Sequence, residues 1–363
     1  MVVLAGGGSG GHIFPNLAVL ERLEERGLPL KPHFLVSGRA LDRDLLTREE
    51  VAFTALPAQP LSVRPWHWPA FYGGWRRSVR EVTALLTSNP VAAVVATGGF
   101  VSAPAVYAAS KLGLPVALLN LDAAPGRANS LMRRYATELF SAYAVPQWPD
   151  ATPIGVPLRR SAVGTNLSPQ EARTQLGLEP HRDTLLVTGA SQASHSINQM
   201  MMELVTMAPS RRQLSTWQVL HLSGPAEVEA LRSAYAKAQI PARVEAFCHA
   251  MGLAWRAATI AISRAGAGSV AEVWANAVPT VFLPYPYHRD QHQRLNAKPL
   301  VAQGAAVLMD DRIDAEVNAR ALAGPISALM NNAPRRLRMI EQMQRTAPPD
   351  GAEVVARWIG SRK

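Results

Sequence analysis

Two kinds of apolar pattern alternate along the chain. Short unbroken apolar runs at 1–5, 33–36, 91–96 and 116–119 predict strands buried on both faces. Between them leucines recur at helical spacing, as at Leu17, Leu20 and Leu23 ahead of Gly27 as a stop. A second series of runs follows at 184–188, 218–222, 243–247, 259–263 and 280–283. It opens as the first does: "LLVTGASQASHSINQMM" parallels "VVLAGGGSGGHIFPNLAVL" in passing from strand through a small-residue turn to a helix. Alternating strands and helices imply parallel sheets covered on both sides. The pattern therefore predicts an α/β chain of two Rossmann-like doubly wound domains, 1–158 and 159–345, with a hinge near Pro157 and a terminal helix in 346–363. Ligands of such sheets bind at the carboxyl ends of the strands, so two facing domains place one cleft between two sets of loops.

Length and composition agree with two domains, since 363 residues exceed one ordinary compact unit. The single cysteine, Cys248, excludes an internal disulfide and a cysteine-rich metal site, and suits a reducing compartment. The formal charge of +10 fits an anionic partner or a basic compositional bias with solvated faces. The chain starts directly in a strand, with no charged leader ahead of it, so no signal peptide is expected. The uncharged stretch 91–109 approaches the length of a membrane span, but Gly98, Gly99 and Pro104 divide it into strand, turn and helix start.

Three stretches carry candidate chemistry. Gly6-x-Gly8-x-x-Gly11 formally matches a dinucleotide fingerprint. Against NAD, the second strand ends "HFLVSG" without an acidic residue, and Pro15 predicts a later helix start than that motif requires. The glycines still let backbone N–H groups approach a ligand beside a helix end. His12 at the lip of the loop is either a general base or a loop-bonded histidine. The densest stretch is "ISRAGAGSVAEVWANAVPTVFLPYPYHRDQHQRLNA" (262–297). Ser269 there reads as a helix cap that offers its hydroxyl to a phosphate. Glu272 stands at capping-box spacing or, one turn inside the helix, holds a ribose. Asp290, His292, Gln293 and Asn296 follow as hydroxyl readers, an order that suits a nucleotide sugar. Arg159 at the hinge and Ser191 in "GASQAS" are further phosphate candidates, although either one alone reads better as a surface residue.

These motifs together resemble the MurG family of peptidoglycan glycosyltransferases. "GGGSGGHIFPNLAV", "ATGGFVSAPAVYAA", "GVPLR", "GASQA", "HLSG" and "SRAGAGSVAEVWANAVPTVFLPYP…DQHQRLNA" stand in family order. The resemblance implies a GT-B fold whose N-terminal domain binds acceptor and membrane and whose C-terminal domain binds UDP-GlcNAc. It implies inverting transfer of GlcNAc to the C4 hydroxyl of a lipid-linked MurNAc-pentapeptide, with no metal or other cofactor required. Carried over position by position, His12 would be the base. Ser9, Gly10 and Gly11 would touch the donor sugar or phosphates, and Phe247 and Cys248 would flank the uracil. Arg159, Ser191, Ala267, Gly268 and Ser269 would meet the diphosphate, Glu272 the ribose, and His292 and Gln293 the rest of the donor.

The chain departs from the family in two places. In "LLNLDAAPGRAN" Asn120 takes the place of the family's glutamate and Asp122 that of its last asparagine, which makes Asp122 a second catalytic candidate. "GASQAS" enlarges two glycines. A paralogue with another acceptor and a non-catalytic UDP-sugar-binding protein are the alternatives these changes open. A UDP-GlcNAc 2-epimerase would need cleft carboxylates, and the N-terminal loops offer few beyond Asp122. The segment "SVRPWHWPAFYGGWRRSVREV" (62–82) interleaves Trp66, Trp68, Phe71, Tyr72 and Trp75 with Arg64, Arg76, Arg77 and Arg80. That mixture predicts peripheral attachment to an anionic membrane at the cytoplasmic face, or else aromatics that pack a helix onto the sheet. The paired glycines and prolines argue against a long buried helix there. No nucleic-acid partner is expected.

Overall fold

A computed structural model describes the chain except residues 9, 61–64, 165, 190–192, 289 and 363. It divides into two compact units, Met1–Arg159 with Pro348–Lys363, and Arg160–Ala347.

The N-terminal unit is built on strands β1 (Val2–Ala5), β2 (Pro32–Ser37), β3 (Phe53–Leu56), β4 (Ala93–Ala96), β5 (Val116–Asn120), β6 (Glu138–Ser141) and β7 (Thr152–Pro153). They form one parallel sheet in the order β3-β2-β1-β4-β5-β6-β7. β1, β4 and β5 are buried along their whole length, which is why each reads as an unbroken apolar run. Ala5 at the end of β1 lies opposite Leu35 on one side and Ala96 on the other. The C-terminal unit repeats the plan with β8 (Thr184–Thr188), β9 (Gln218–Leu222), β10 (Ala242–Glu245), β11 (Ile260–Ser263), β12 (Thr280–Phe282) and β13 (Ala306–Leu308). Its order is β10-β9-β8-β11-β12-β13. The direction of winding reverses between β1 and β4 in one sheet and between β8 and β11 in the other. These switch points are where a doubly wound sheet leaves a crevice for ligand.

The apolar pattern misses β3, β6, β7 and β13. They lie at or near the sheet edges and are short or half-solvated, so no long apolar run marks them. Two helix expectations are corrected. The first helix spans Gly10–Glu25 with Pro15 inside it, not after a delayed start. So close to the helix start, the proline forfeits only the bond to the Gly11 carbonyl. A long helix also spans Trp68–Thr87 despite its prolines and paired glycines. Pro69 stands in its first turn, where a missing N–H costs nothing, and Gly74 passes so near the Pro57 carbonyl that a Cβ would lie 2.6 Å from that oxygen.

On that helix Gly74, Ser78, Val82 and Leu86 form the buried stripe. Trp66, Trp68 and Tyr72 are more than half exposed, and the Arg76 guanidinium lies 5.7 Å from the Tyr72 ring centre. Trp75 turns the other way, packing its half-buried ring 5.8 Å from Tyr107, and Phe71 is half-buried. Arg64 lies outside the described residues. No helix among the described residues is long and apolar enough to cross a membrane.

The last helix, Gly351–Gly360, belongs to the N-terminal unit. Asp350 caps it by accepting from the Ala352 and Glu353 N–H groups, and also accepts from Arg22 Nε at 2.9 Å. Trp358 meets Phe140 edge to face at 6.3 Å.

Candidate active site

At the N-terminal switch point the loop after β1 meets the loop after β4. Gly6 fits only without a side chain, because a Cβ there would collide with Thr97 Oγ1 and stand 2.7 Å from the His12 carbonyl. Gly98 and Gly99 carry φ values of +101° and +79°, which glycine alone adopts readily, and Gly99 forms the floor beneath the His12 ring. Gly10 is buried at the first helical position, Gly11 is exposed, and Ser9 lies outside the described residues.

His12 is half-buried, with Nδ1 3.0 Å from the Thr97 carbonyl oxygen. That partner can only accept, so neutral His12 carries its proton on Nδ1 and leaves Nε2 as a lone-pair acceptor. Burial lowers the pKa of His12 below the ordinary histidine value, while the Asp122 carboxylate, the Thr97 hydrogen bond and the Asp42 carboxylate pull the other way. The ring is therefore neutral near pH 7 and faces two carboxylates that would steady an imidazolium. Burial and then the charge of Asp122 push the Tyr143 phenol up. Asn120 is buried, donating from Nδ2 to the Asp122 carbonyl at 2.7 Å with Ser141 Oγ at 3.2 Å. Its side chain thus shapes the turn that presents Asp122.

Arg159 does not stand open to a phosphate. Its guanidinium donates to Glu21 at 2.8 Å and to both oxygens of Glu49 at 2.6 and 2.9 Å, all within the N-terminal unit. A phosphate would have to displace two carboxylates already in good geometry.

In the C-terminal unit the loop after β11 leads into the helix Ala267–Asn276. Here Ser269 proves not to be the cap. Gly266 is the N-cap and gives no side-chain bond, so the helix starts three residues earlier and leaves the first N–H groups to another acceptor. A Cβ on Gly266 or Gly268 would meet nothing within 4 Å, so the loop opens onto space. The capping box between Ser269 and Glu272 is likewise not formed. Glu272 Oε2 instead accepts from Trp255 Nε1 at 2.8 Å, and burial raises its carboxyl to about 7. Burial raises the Cys248 thiol, with the Glu272 charge adding to it, so these two residues are electrostatic neighbours. Phe247 is exposed and meets His249 edge to face at 4.8 Å. Gln293 fixes its Oε1 on the Tyr285 N–H at 2.9 Å. His292 pairs with Asp290 at 2.7 Å and stacks on His288 at 4.3 Å. Asn296 is buried and donates to the Ala265 carbonyl at 3.3 Å, bracing the loop from behind. Ser191 lies outside the described residues.

Three features escape the sequence pattern. Asp42 is buried and accepts the Gly8 N–H at 2.7 Å. Trp255 supplies the partner of Glu272. Arg264 is buried, donating to the Leu283 carbonyl at 2.8 Å and Ser196 Oγ at 2.6 Å and pairing with Asp311 at 2.7 Å. It ties together the chain ends that follow β11, β12 and β13 and the start of the helix His195–Leu204. The one available signal was a charged residue directly after a buried strand, as Arg264 stands after β11.

Residues 2–141 match the glycosyltransferase family 28 N-terminal domain and residues 184–355 the family 28 C-terminal domain. A relative from Acidothermus cellulolyticus, named UDP-N-acetylglucosamine–N-acetylmuramyl-(pentapeptide) pyrophosphoryl-undecaprenol N-acetylglucosamine transferase, is 34% identical over 95% of this chain and 92% of its own. One of the same name from Leifsonia xyli is 33% identical over 98% of this chain and 97% of its own. The crystal structure of MurG from Acinetobacter baumannii superposes with a TM-score of 0.75 at 24% identity, covering 99% of both chains, and shares the GT-B fold. The two sheets, the two family 28 domains and identity along nearly the whole length establish that the chain belongs to the MurG family of glycosyltransferases.

Proposed function

We propose that the protein transfers GlcNAc from UDP-GlcNAc to the C4 hydroxyl of a lipid-linked MurNAc-pentapeptide, inverting the anomeric carbon. The observation that carries this reading is identity along both units to relatives named for that transfer. The geometry of His12 supplies the chemistry. Nε2 takes the proton of the acceptor hydroxyl as its oxygen attacks the anomeric carbon, and UDP departs with the electrons of the broken bond. The resulting imidazolium keeps its Thr97 bond and faces Asp122 and Asp42.

The C-terminal unit holds the donor in this reading. The uncapped N–H groups at Ala267, Gly268 and Ser269 receive the diphosphate at a positive helix end. Glu272 accepts the ribose hydroxyls, Phe247 and Cys248 border the uracil, and the Gln293 amide nitrogen meets a sugar hydroxyl. The N-terminal unit holds the acceptor. The exposed Trp66, Trp68 and Tyr72, beside Arg76 and Arg77, rest on an anionic bilayer at the cytoplasmic face, where the lipid-linked acceptor is found.

The test is incubation with UDP-GlcNAc and a lipid I analogue, followed by mass spectrometry. A β-linked disaccharide product with one UDP released supports the reading. UDP-ManNAc in place of disaccharide makes the protein an epimerase, and UDP binding without turnover makes it a nucleotide-sugar-binding protein.

A further inference from the structure

We propose that Asp42 is a positioning residue for the transfer: by taking the Gly8 N–H it fixes the glycine turn against which His12 rests. The proposal stands on the reading of His12 as the base.

Asp42 lies in the first turn of the helix Ala40–Arg48 and is fully buried. Its Oδ2 accepts three hydrogen bonds, from the Gly8 N–H at 2.7 Å, Ser37 Oγ at 2.5 Å and the Ser37 N–H at 3.3 Å. Its Oδ1 is buried with no partner among the described residues. A buried carboxylate with half of its acceptor capacity unused is costly, so the three bonds on the other oxygen must carry its presence. Arg39 closes the opposite side of the same residue, donating from Nη1 to the Gly8 carbonyl at 2.5 Å. Gly8, at a φ of +91°, is thus held through both its N–H and its carbonyl.

The turn is one backbone thick. On the Asp42 side, a Cβ at Gly7 would lie 2.8 Å from Asp42 Oδ2 and 2.9 Å from the Ser37 nitrogen. On the other side, a Cβ at Gly99 would lie 3.0 Å from the Gly7 carbonyl oxygen and 3.6 Å from His12 Cδ2. Gly7 and the His12 ring therefore share one floor, and Asp42 presses the turn onto it. Release of that grip lets the turn shift and the ring lose its fixed place. A misplacement of about 1 Å in a reacting group costs about 10²-fold in rate.

The experiment compares Asp42→Ala, Asp42→Asn and His12→Ala with wild type. It reads amide exchange across 6–12 by mass spectrometry, and kcat and KM for UDP-GlcNAc with a lipid I analogue. Asparagine keeps an oxygen for all three donors and puts its nitrogen where Oδ1 has no partner. In Asp42→Ala, exchange at the turn accelerates, kcat falls about 10- to 10²-fold and the UDP-GlcNAc KM stays within about twofold. Asp42→Asn restores the exchange and most of kcat, short only of the minor support that the Asp42 charge, weaker here than that of Asp122, gives the imidazolium. Normal kcat in Asp42→Ala, unchanged exchange, a fall confined to KM, or failure of asparagine to rescue overturns the proposal. If Asp42→Ala does not fold, Ser37→Ala takes its place, with a smaller rise in exchange matched by a smaller loss of kcat; no change in either overturns it. Near-normal kcat in His12→Ala refutes the base reading instead, while the exchange arm still reports whether Asp42 holds the turn.

Discussion

Glu272→Gln should make the protein more stable and a poorer binder of UDP, and both effects follow from one buried carboxyl. The ordinary carboxyl value of 4.5 is raised to about 7 by burial, against the opposing hydrogen bond from Trp255. Between those values the folded protein holds a proton that the unfolded chain has lost, so stability falls as pH rises through that window. At about 1.4 kcal/mol per pH step, the penalty saturates above pH 7 at about 3 kcal/mol, an upper figure because the group keeps some solvent contact. Glutamine keeps an acceptor for the Trp255 N–H and carries no charge to desolvate. The variant should gain up to about 3 kcal/mol over wild type at pH 8 and almost nothing at pH 4.5. Urea unfolding followed by Trp fluorescence at the two pH values measures this. The same substitution removes a charge-assisted acceptor for the ribose, so calorimetric UDP affinity at pH 8 should fall by about 1–3 kcal/mol. In wild type, UDP affinity should also gain a component that rises with pH through about 7, as Glu272 ionises, and this component should vanish in the variant. An equal stability difference at both pH values would show that the carboxyl titrates normally. Unchanged UDP affinity in a folded variant would remove Glu272 from the donor site.

Four other outcomes are expected. His12→Ala should lower kcat about 10²–10⁴-fold and leave UDP affinity nearly intact, and the acid limb of the wild-type kcat profile should lie below the ordinary histidine value of 6.5, in the direction burial moves this ring. Asp122→Asn in the same assay should retain the fold and move that limb further down, since the carboxylate now favours the protonated ring. Arg159→Ala should lower thermal stability, because Glu21 and Glu49 lose their shared cation, and leave UDP affinity unchanged in calorimetry; a selective loss of affinity would return Arg159 to the phosphates. A Trp66→Ser/Trp68→Ser/Tyr72→Ser variant should pellet less with anionic vesicles than wild type at low salt, and equal pelleting would place the membrane surface elsewhere.

What the sequence made legible was whatever a continuous stretch of chain decides. β1, β4, β5, β8 and β9 are central and buried on both faces, so their apolar runs announce them. The edge strands β3 and β7 carry no such run. The glycine loops were visible because close packing excludes every side chain, as at Gly6 against Thr97. What stayed hidden was partnership across the fold. Glu21 and Glu49 claim Arg159 from more than a hundred residues away, and Trp255 reaches Glu272 from a neighbouring helix. Ser269 shows the opposite failure: the local spacing suits a cap, but the backbone turns helical earlier, at Ala267, and leaves the serine in the first turn. The aromatic segment divides between the exposed turn and helix start that carry Trp66 and Trp68 and the inward position of Trp75 along the helix.

The return of Gly351–Gly360 to the first unit has a consequence for biosynthesis. Arg160–Ala347 is one uninterrupted stretch and can fold as it leaves the ribosome, whereas the first unit is split in sequence and stays unfinished until its final helix emerges. Until then Arg22, almost fully enclosed in the finished protein, lacks Asp350, and the face that receives Trp358 is bare to water. The nascent chain thus carries an open apolar surface through the whole synthesis of the second unit, a window in which a chaperone could act and a premature stop would leave a product prone to aggregate.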